Sequence, residues 1–116
     1  LVRSGEGTLT ERVYTVEVLN GTASTGLASR TADLLRGFGY DVINIGNADS
    51  FDYEKTEIID RSGYEKMAKI FADVIRCKEL RFETEEDVRF DSQSLEYRAD
   101  FTLIIGKDFN GRYVIN

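Results

Sequence analysis

Residues 13–49, VYTVEVLNGTASTGLASRTADLLRGFGYDVINIGNAD, change hydrophobic period twice. An alternating run from Val13 to Leu19 gives way, after Asn20-Gly21, to apolar residues at helical spacing. After Gly37 and Gly39 a second apolar run covers Val42 to Ile45. A period of two, then of 3.6, then a short apolar run predicts strand, tight turn, helix, strand. This βαβ unit limits what the rest of the chain can become. Two strands joined by a helix need that helix packed on one sheet face, and the crossover is right-handed. With 116 residues there is room for one domain around it.

Within the unit, Tyr14, Val16 and Val18 form the more consistently apolar set of the first strand and are assigned to the core face. Asn20 and Gly21 both tolerate positive φ, which suits a turn. Ser24 or Thr25 is placed to cap a helix beginning near Gly26. Leu27, Thr31, Leu34, Leu35 and Phe38 form its expected buried stripe, flanked by Ala28 and Ala32. Gly39 suits the left-handed position after a helix.

A second half follows with the same grammar. After a polar loop over 46–55, a strand is expected from Thr56 to Arg61. A helix then starts beyond Ser62-Gly63, either of which can cap it, with Glu65 in its first turn. Tyr64, Met67, Ala68, Phe71, Val74 and Ile75 make its apolar stripe, and Arg76 and Lys78 suit its end. Leu80 and Phe82 support a short strand over 79–83. Residues 83–98 are acidic and irregular and read as an exposed loop, with a loose strand near Val88 to Phe90. Phe101 to Ile105 is the last firm strand, and Tyr113-Val114-Ile115 is suited to an extra edge strand. The expectation is an α+β fold: a two-layer α/β sandwich with ferredoxin-like βαββαβ order, both helices on one sheet face. Residues 1–12 read as a flexible linker remnant and 13–116 as the domain.

Composition excludes several kinds of chemistry. The chain has no histidine, which removes Ser-His-Asp and Cys-His catalysis and histidine-ligated zinc. A formal charge of −6 opposes duplex nucleic-acid binding, which draws most of its affinity from cations on phosphates. Cys77 is the single cysteine, so no intrachain disulfide forms; it reads as a packed side chain. No apolar run approaches the roughly 20 residues of a membrane helix. The chain opens at Leu1 without a Met and reads as part of a longer protein whose export signal or anchor lies upstream.

Two loops carry the polar residues that could recognise something. Asn20-Gly21-Thr22 to Gly26 is a glycine-bearing turn entering a helix, where free backbone N–H groups attract anions. It lacks the Gly-Lys-Ser/Thr end of a phosphate loop and any G-x-G-x-x-G, so a plain turn competes with anion binding. Asn20-Gly21-Thr22 also matches a glycosylation sequon. The second loop places Asn47, Asp49, Phe51 and Tyr53 close together, with Asp52 and Glu54. Its acids and aromatics suit a sugar, a peptide or a hard cation, and equally a solvated loop with Phe51 or Tyr53 tucked into the core. Asp100 and Asp108 bracket the last strand; with Asp49 and Asp52 they make up a metal-dependent hydrolase alternative.

In order and spacing, Val16-Glu-Val-Leu-Asn-Gly-Thr22, Gly26-Leu-Ala28, Leu34-Leu35, Gly39-Tyr40-Asp41-Val42 and Asn47-Ala-Asp49 resemble the LytR C-terminal domain of LytR/CpsA/Psr cell-envelope proteins. Tyr53, Thr56 and Asp100-Phe-Thr-Leu-Ile-Ile-Gly-Lys-Asp-Phe109 continue the resemblance, which covers Val13 to Phe109. It implies a non-catalytic, extracytoplasmic accessory domain without a cofactor, membrane-anchored only through sequence outside this fragment. Its implied partners are a cell-wall polymer (peptidoglycan or an attached glycopolymer) or an envelope protein, and not nucleic acid. The candidate ligand-binding residues are then Asn20, Gly21, Thr22, Gly26, Asn47, Asp49, Phe51 and Tyr53. The acidic stretch Glu83 to Arg98 is longer than the resemblance leads one to expect.

Overall fold

Seven elements follow one another in the computed structural model, which describes residues 13–84 and 98–109. They are β1 (Thr15–Asn20), α1 (Leu27–Gly37), β2 (Asp41–Asn47), β3 (Glu57–Asp60), α2 (Glu65–Ile75), β4 (Glu79–Phe82) and β5 (Phe101–Ile105). The linker at 1–12, the loose strand at 88–90 and the edge strand at 113–115 lie outside the described residues. No helix among those described is long and apolar enough to cross a membrane.

The fold is α+β, with two helices on a mixed five-stranded sheet of order β2-β1-β5-β3-β4. The βαββαβ order of elements is as expected, but the ferredoxin-like pairing is not. In a split βαβ another strand separates the two parallel strands of each unit. Here β1 lies directly beside β2, and β3 directly beside β4, both in parallel. The additional strand, β5, sits in the middle, parallel to β1 and antiparallel to β3. Its sequence explains the position. Phe101-Thr-Leu-Ile-Ile105 is buried at every residue, so neither parity faces water.

The two βαβ units are related by an approximate twofold axis normal to the sheet through β5. Each has an 11-residue helix, and the resemblance extends to hydrogen bonds. At the end of β1, Asn20 Oδ1 accepts from the Thr22 backbone N–H (2.9 Å) and hydroxyl (2.8 Å), and Thr22 Oγ1 accepts from Ser24 N–H. At the end of β3, Asp60 Oδ1 accepts from the Ser62 N–H (2.9 Å) and hydroxyl (2.7 Å), and Ser62 Oγ accepts from Tyr64 N–H. These side-chain turns take the place of the expected caps. Neither helix has a side-chain N-cap bond: Gly26 (φ 79°) precedes α1 and Tyr64 precedes α2, so Ser24, Thr25, Ser62 and Gly63 do not cap.

Strand β5 is clasped at both ends by a threonine and an aspartate. The Thr15 N–H and hydroxyl donate to Asp100 Oδ2, and Asp100 N–H donates back to Thr15 Oγ1. At the other end the Thr56 N–H and hydroxyl donate to Asp108 Oδ1 at 2.8 Å each, and Gly106 N–H donates to Thr56 Oγ1. Both helices press on one face over Val16, Val18, Ile58, Phe101, Leu103 and Ile105. The buried helix faces are Ala28, Thr31, Ala32 and Leu35 in α1, and Ala68, Phe71, Ala72 and Ile75 in α2. The stripes are thus rotated from those expected. Small alanines touch the sheet, Leu27, Leu34, Met67 and Val74 pack at the margin, and Phe38 and Tyr64 are exposed. Phe71 stacks on Phe101 (5.1 Å between centroids) and Phe101 on Tyr14 (5.5 Å), tying α2 to the central strands.

Candidate functional site

Parallel pairing puts the C-terminal ends of β1, β2 and β5 on one edge of the sheet. Both loops singled out from the sequence emerge there, and backbone hydrogen bonds join them. Ala48 N–H donates to Asn20 O (2.9 Å), and Tyr53 N–H donates to Gly21 O (3.1 Å). Gly21 N–H in turn donates to Ile105 O (2.9 Å), and Lys107 N–H to Tyr53 O (2.8 Å). Three segments far apart in sequence therefore form one knot.

Gly21 is required there for a different reason from the one expected. It does not adopt positive φ; among the described glycines only Gly26, Gly39 and Gly63 do. A Cβ at position 21 would lie 2.7 Å from Ile105 O and 2.7 Å from Tyr53 Cδ1. Gly106 is tighter still, with a Cβ 2.3 Å from the Lys55 carbonyl carbon. These are close-approach glycines, where backbone passes backbone with no room for a side chain.

Asn20 and Thr22 are buried, and their polar groups are spent on holding the turn. Asn20 Nδ2 donates to Ser24 O at 2.8 Å, which completes the ring of bonds. Their role in the knot is structural support. Gly26 supplies the left-handed residue that lets α1 start without a side-chain cap. What faces solvent is the 47–53 loop. Phe51 is 52% exposed, and Asn47 and Asp49 are exposed beside it. Tyr53 is half-buried against Gly21, and its hydroxyl donates to Asp49 Oδ1 at 2.7 Å. Burial, with the Asp49 carboxylate adding to it, pushes this phenol up to about 12. Tyr53 is thus the residue tucked in, and Phe51 the one presented. Lys107 extends over the loop to Glu54 (3.3 Å) and Asp52 (4.0 Å).

The four carboxylates of the hydrolase alternative are not brought together. Asp100 and Asp108 lie beyond opposite ends of β5, whose five residues alone span roughly 16 Å at about 3.3 Å per residue. Each is occupied by its threonine clasp. Asp49 is bound to Tyr53, and no group of three or more His, Cys, Asp or Glu side chains suited to a metal occurs among the described residues. Cys77 donates its thiol to Thr56 O at 3.3 Å, and burial pushes its pKa up, as expected for a packed rather than a nucleophilic cysteine.

The threonine clasps went unseen in the sequence, although their signal is present. A Thr opens each unit (Thr15, Thr56), and Asn/Asp-x-Thr/Ser closes its first strand (Asn20-Gly-Thr22, Asp60-Arg-Ser62).

A family model described as LytR cell envelope-related transcriptional attenuator matches residues 13–109. Among solved structures, the chain is similar to the soluble domain of a conserved hypothetical secreted protein from Mycobacterium marinum. The TM-score is 0.59 at 24% identity, covering 84% of this chain and 61% of that one. That likeness is one of fold, and the chain spans about three-fifths of the length of its neighbour. No match was found among curated proteins.

Proposed function

The chain belongs to the LytR C-terminal family, and from that premise we propose that it is a non-catalytic extracytoplasmic accessory domain that binds a cell-wall polymer through the 47–53 loop. The observation that carries this reading is the exposed Phe51. It stands between Asn47, Asp49 and Asp52 on a loop fixed to the sheet by the Asn20–Thr22 and Tyr53 bonds. An aromatic face flanked by carboxylates and amides suits a sugar, whose C–H face stacks while its hydroxyls hydrogen-bond. The rigid base is what a recognition loop needs, because little ordering remains to be done on binding. A secreted protein of similar fold supports an extracytoplasmic setting.

Lack of histidine and the separation of the four aspartates weigh against the hydrolase alternative. The family description speaks of transcriptional attenuation, but an excess of acidic over basic residues, 21 to 15, disfavours direct duplex contact. The test is sedimentation of the purified domain with insoluble peptidoglycan. Saturable binding that falls at least tenfold in Phe51→Ala and in Asn47→Ala/Asp49→Ala supports the reading. Binding no greater than that of an unrelated acidic protein refutes it and leaves an envelope protein as the partner to seek.

A further inference from the structure

Among the described residues the sheet ends on two strands with one neighbour each, β2 and β4. An edge strand offers unpaired backbone N–H and C=O groups, and folds guard such edges with charge, brevity or a cover. β4 is guarded. It has four residues, Glu79-Leu-Arg-Phe82, and Arg81 pairs with Glu57 at 3.5 Å. β2 runs for seven, Asp41-Val-Ile-Asn-Ile-Gly-Asn47, with no charge after Asp41. Ile43 is 41% exposed and Ile45 37%, and Arg36, which reaches Val42 O at 3.5 Å, overhangs only the start of the strand.

The register with β1 passes from Val16 beside Val42 to Glu17 beside Asn44, so Ile43 has no partner on β1. Ile45 lies beside Val18, on the helix side of the sheet, and alternation puts Ile43 on that side too. Asn44 faces the other way, its Nδ2 donating to Glu17 Oε2 at 2.6 Å. Ile-Asn-Ile is thus an exposed edge that reads the same in both directions. Turned about Asn44, a second such strand sets Ile43 against Ile45 twice and Asn44 against its own copy. Apolar pairs meet on the helix side, and an amide, which has both donors and an acceptor, meets an amide on the other.

Charge selects the same sense in a chain of net −6. Antiparallel pairing holds the two Asp41 carboxylates about 20 Å apart along the strands, well beyond the roughly 8 Å screening length of physiological salt. Parallel pairing in register sets them side by side, which is unfavourable.

We propose that β2 is the contact strand of a symmetric dimer, paired antiparallel about Asn44 with β2 of a second copy. The two five-stranded sheets become one, with the helices of both copies on the same face. Such an interface closes on itself and stops at two. A pairing this short stays below the roughly 1,200 Å² of a stable interface, so the dimer fills at high local concentration. Ile43, Asn44 and Ile45 lie outside the polymer-binding loop, so the two readings stand or fall separately.

The experiment is sedimentation velocity of the whole chain from about 10 μM to about 1 mM, a range that brackets weak dissociation constants. Wild type should move from 13.2 kDa toward twice that mass, in about 0.5 M salt as well as in dilute buffer. Ile43→Lys and Ile45→Lys should each weaken association at least tenfold. The Tm of the dilute monomer should stay at its wild-type value in both, since both positions are exposed. Register is read by oxidation in a Cys77→Ser background. Position 44 lies opposite its own copy at the Cα separation of a disulfide, whereas position 45 lies about 8 Å from its copy. Asn44→Cys should therefore crosslink at least fivefold faster than Ile45→Cys. If either lysine variant does not fold, this ratio decides alone. A monomer at every concentration overturns the proposal and leaves a strand of another protein as the occupant of the edge. So does a dimer that dissolves in salt, one that survives Ile43→Lys and Ile45→Lys, or crosslinking as fast at 45 as at 44.

Discussion

Gly21→Ala tests how the two loops are held together, because at this site steric and conformational effects have opposite signs. Gly21 has no positive φ, so alanine carries no backbone penalty there. Through the unfolded chain alone it would stabilise by about 0.4–1 kcal/mol. Against that, the new methyl would lie 2.7 Å from both Ile105 O and Tyr53 Cδ1, and 2.9 Å from Tyr53 Cβ. Restoring ordinary contact distance requires the knot to open by about 0.7 Å. That stretches the Gly21 N–H bond to Ile105 O and the Tyr53 N–H bond to Gly21 O, now 2.9 and 3.1 Å. Two weakened bonds at roughly 0.5–1.5 kcal/mol each, with a partly unsatisfied buried group, give a net loss of about 2–4 kcal/mol. For a domain this size that lowers Tm by about 8–16 °C. Urea unfolding followed by circular dichroism measures it. Gly46→Ala is the control: its Cβ would meet nothing nearer than Leu19 Cδ2 at 3.7 Å, so it should leave stability unchanged or raise it by up to about 1 kcal/mol. If the two variants unfold at the same urea concentration, the close-approach argument is wrong.

Other outcomes follow from the same geometry. Gly106→Ala, with its Cβ 2.3 Å from backbone, should cost more than Gly21→Ala and yield little folded protein on expression. Thr15→Val and Thr56→Val should each lose about 1–2 kcal/mol in denaturant titrations, since each removes a hydroxyl that both donates and accepts. Because the clasps are far apart, the double variant should equal the sum to within about 0.5 kcal/mol. The Tyr53 phenol is pushed up to about 12 from its ordinary 10. Its contribution to stability is therefore complete below pH 10 and is lost as pH rises through about 12. Ultraviolet difference titration of wild type against Tyr53→Phe should show one late-ionising tyrosine. Asp49→Asn should bring that ionisation to lower pH by removing the carboxylate.

Much of the architecture was legible because period and punctuation agree. The strands at 15–20, 41–47 and 101–105 and both helices occur where alternation, helical spacing and glycines place them. Helix faces were harder to read. Counting large residues favoured Leu27, Leu34 and Phe38, but a helix lying close on a sheet buries its smallest side chains, so Ala28 and Ala32 took the centre. Strand order was not accessible from period alone, since parallel neighbours and split neighbours have the same local pattern. The two-sided apolar run at Phe101–Ile105 was the clue to a central strand. The candidate loops were found, yet the reason they meet was not, because Gly21 and Gly106 look like any turn glycines until the backbone they touch is known.

The central position of β5 governs the order in which the fold can be made. Its residues come from the end of the described chain, yet it separates β1 from β3 and is the one strand that joins the two βαβ units within the sheet. Until it has been synthesised, each unit holds only a two-stranded sheet, which is marginal in water. Their common core also lacks Phe101, Leu103 and Ile105. Thr15 must then find Asp100 across 85 positions, a closure that slows folding relative to local pairing. A nascent chain ending before residue 101 therefore presents two unfinished sheet edges to whatever surrounds it. The domain should close late and in a single step, as its last strand slides between the two units.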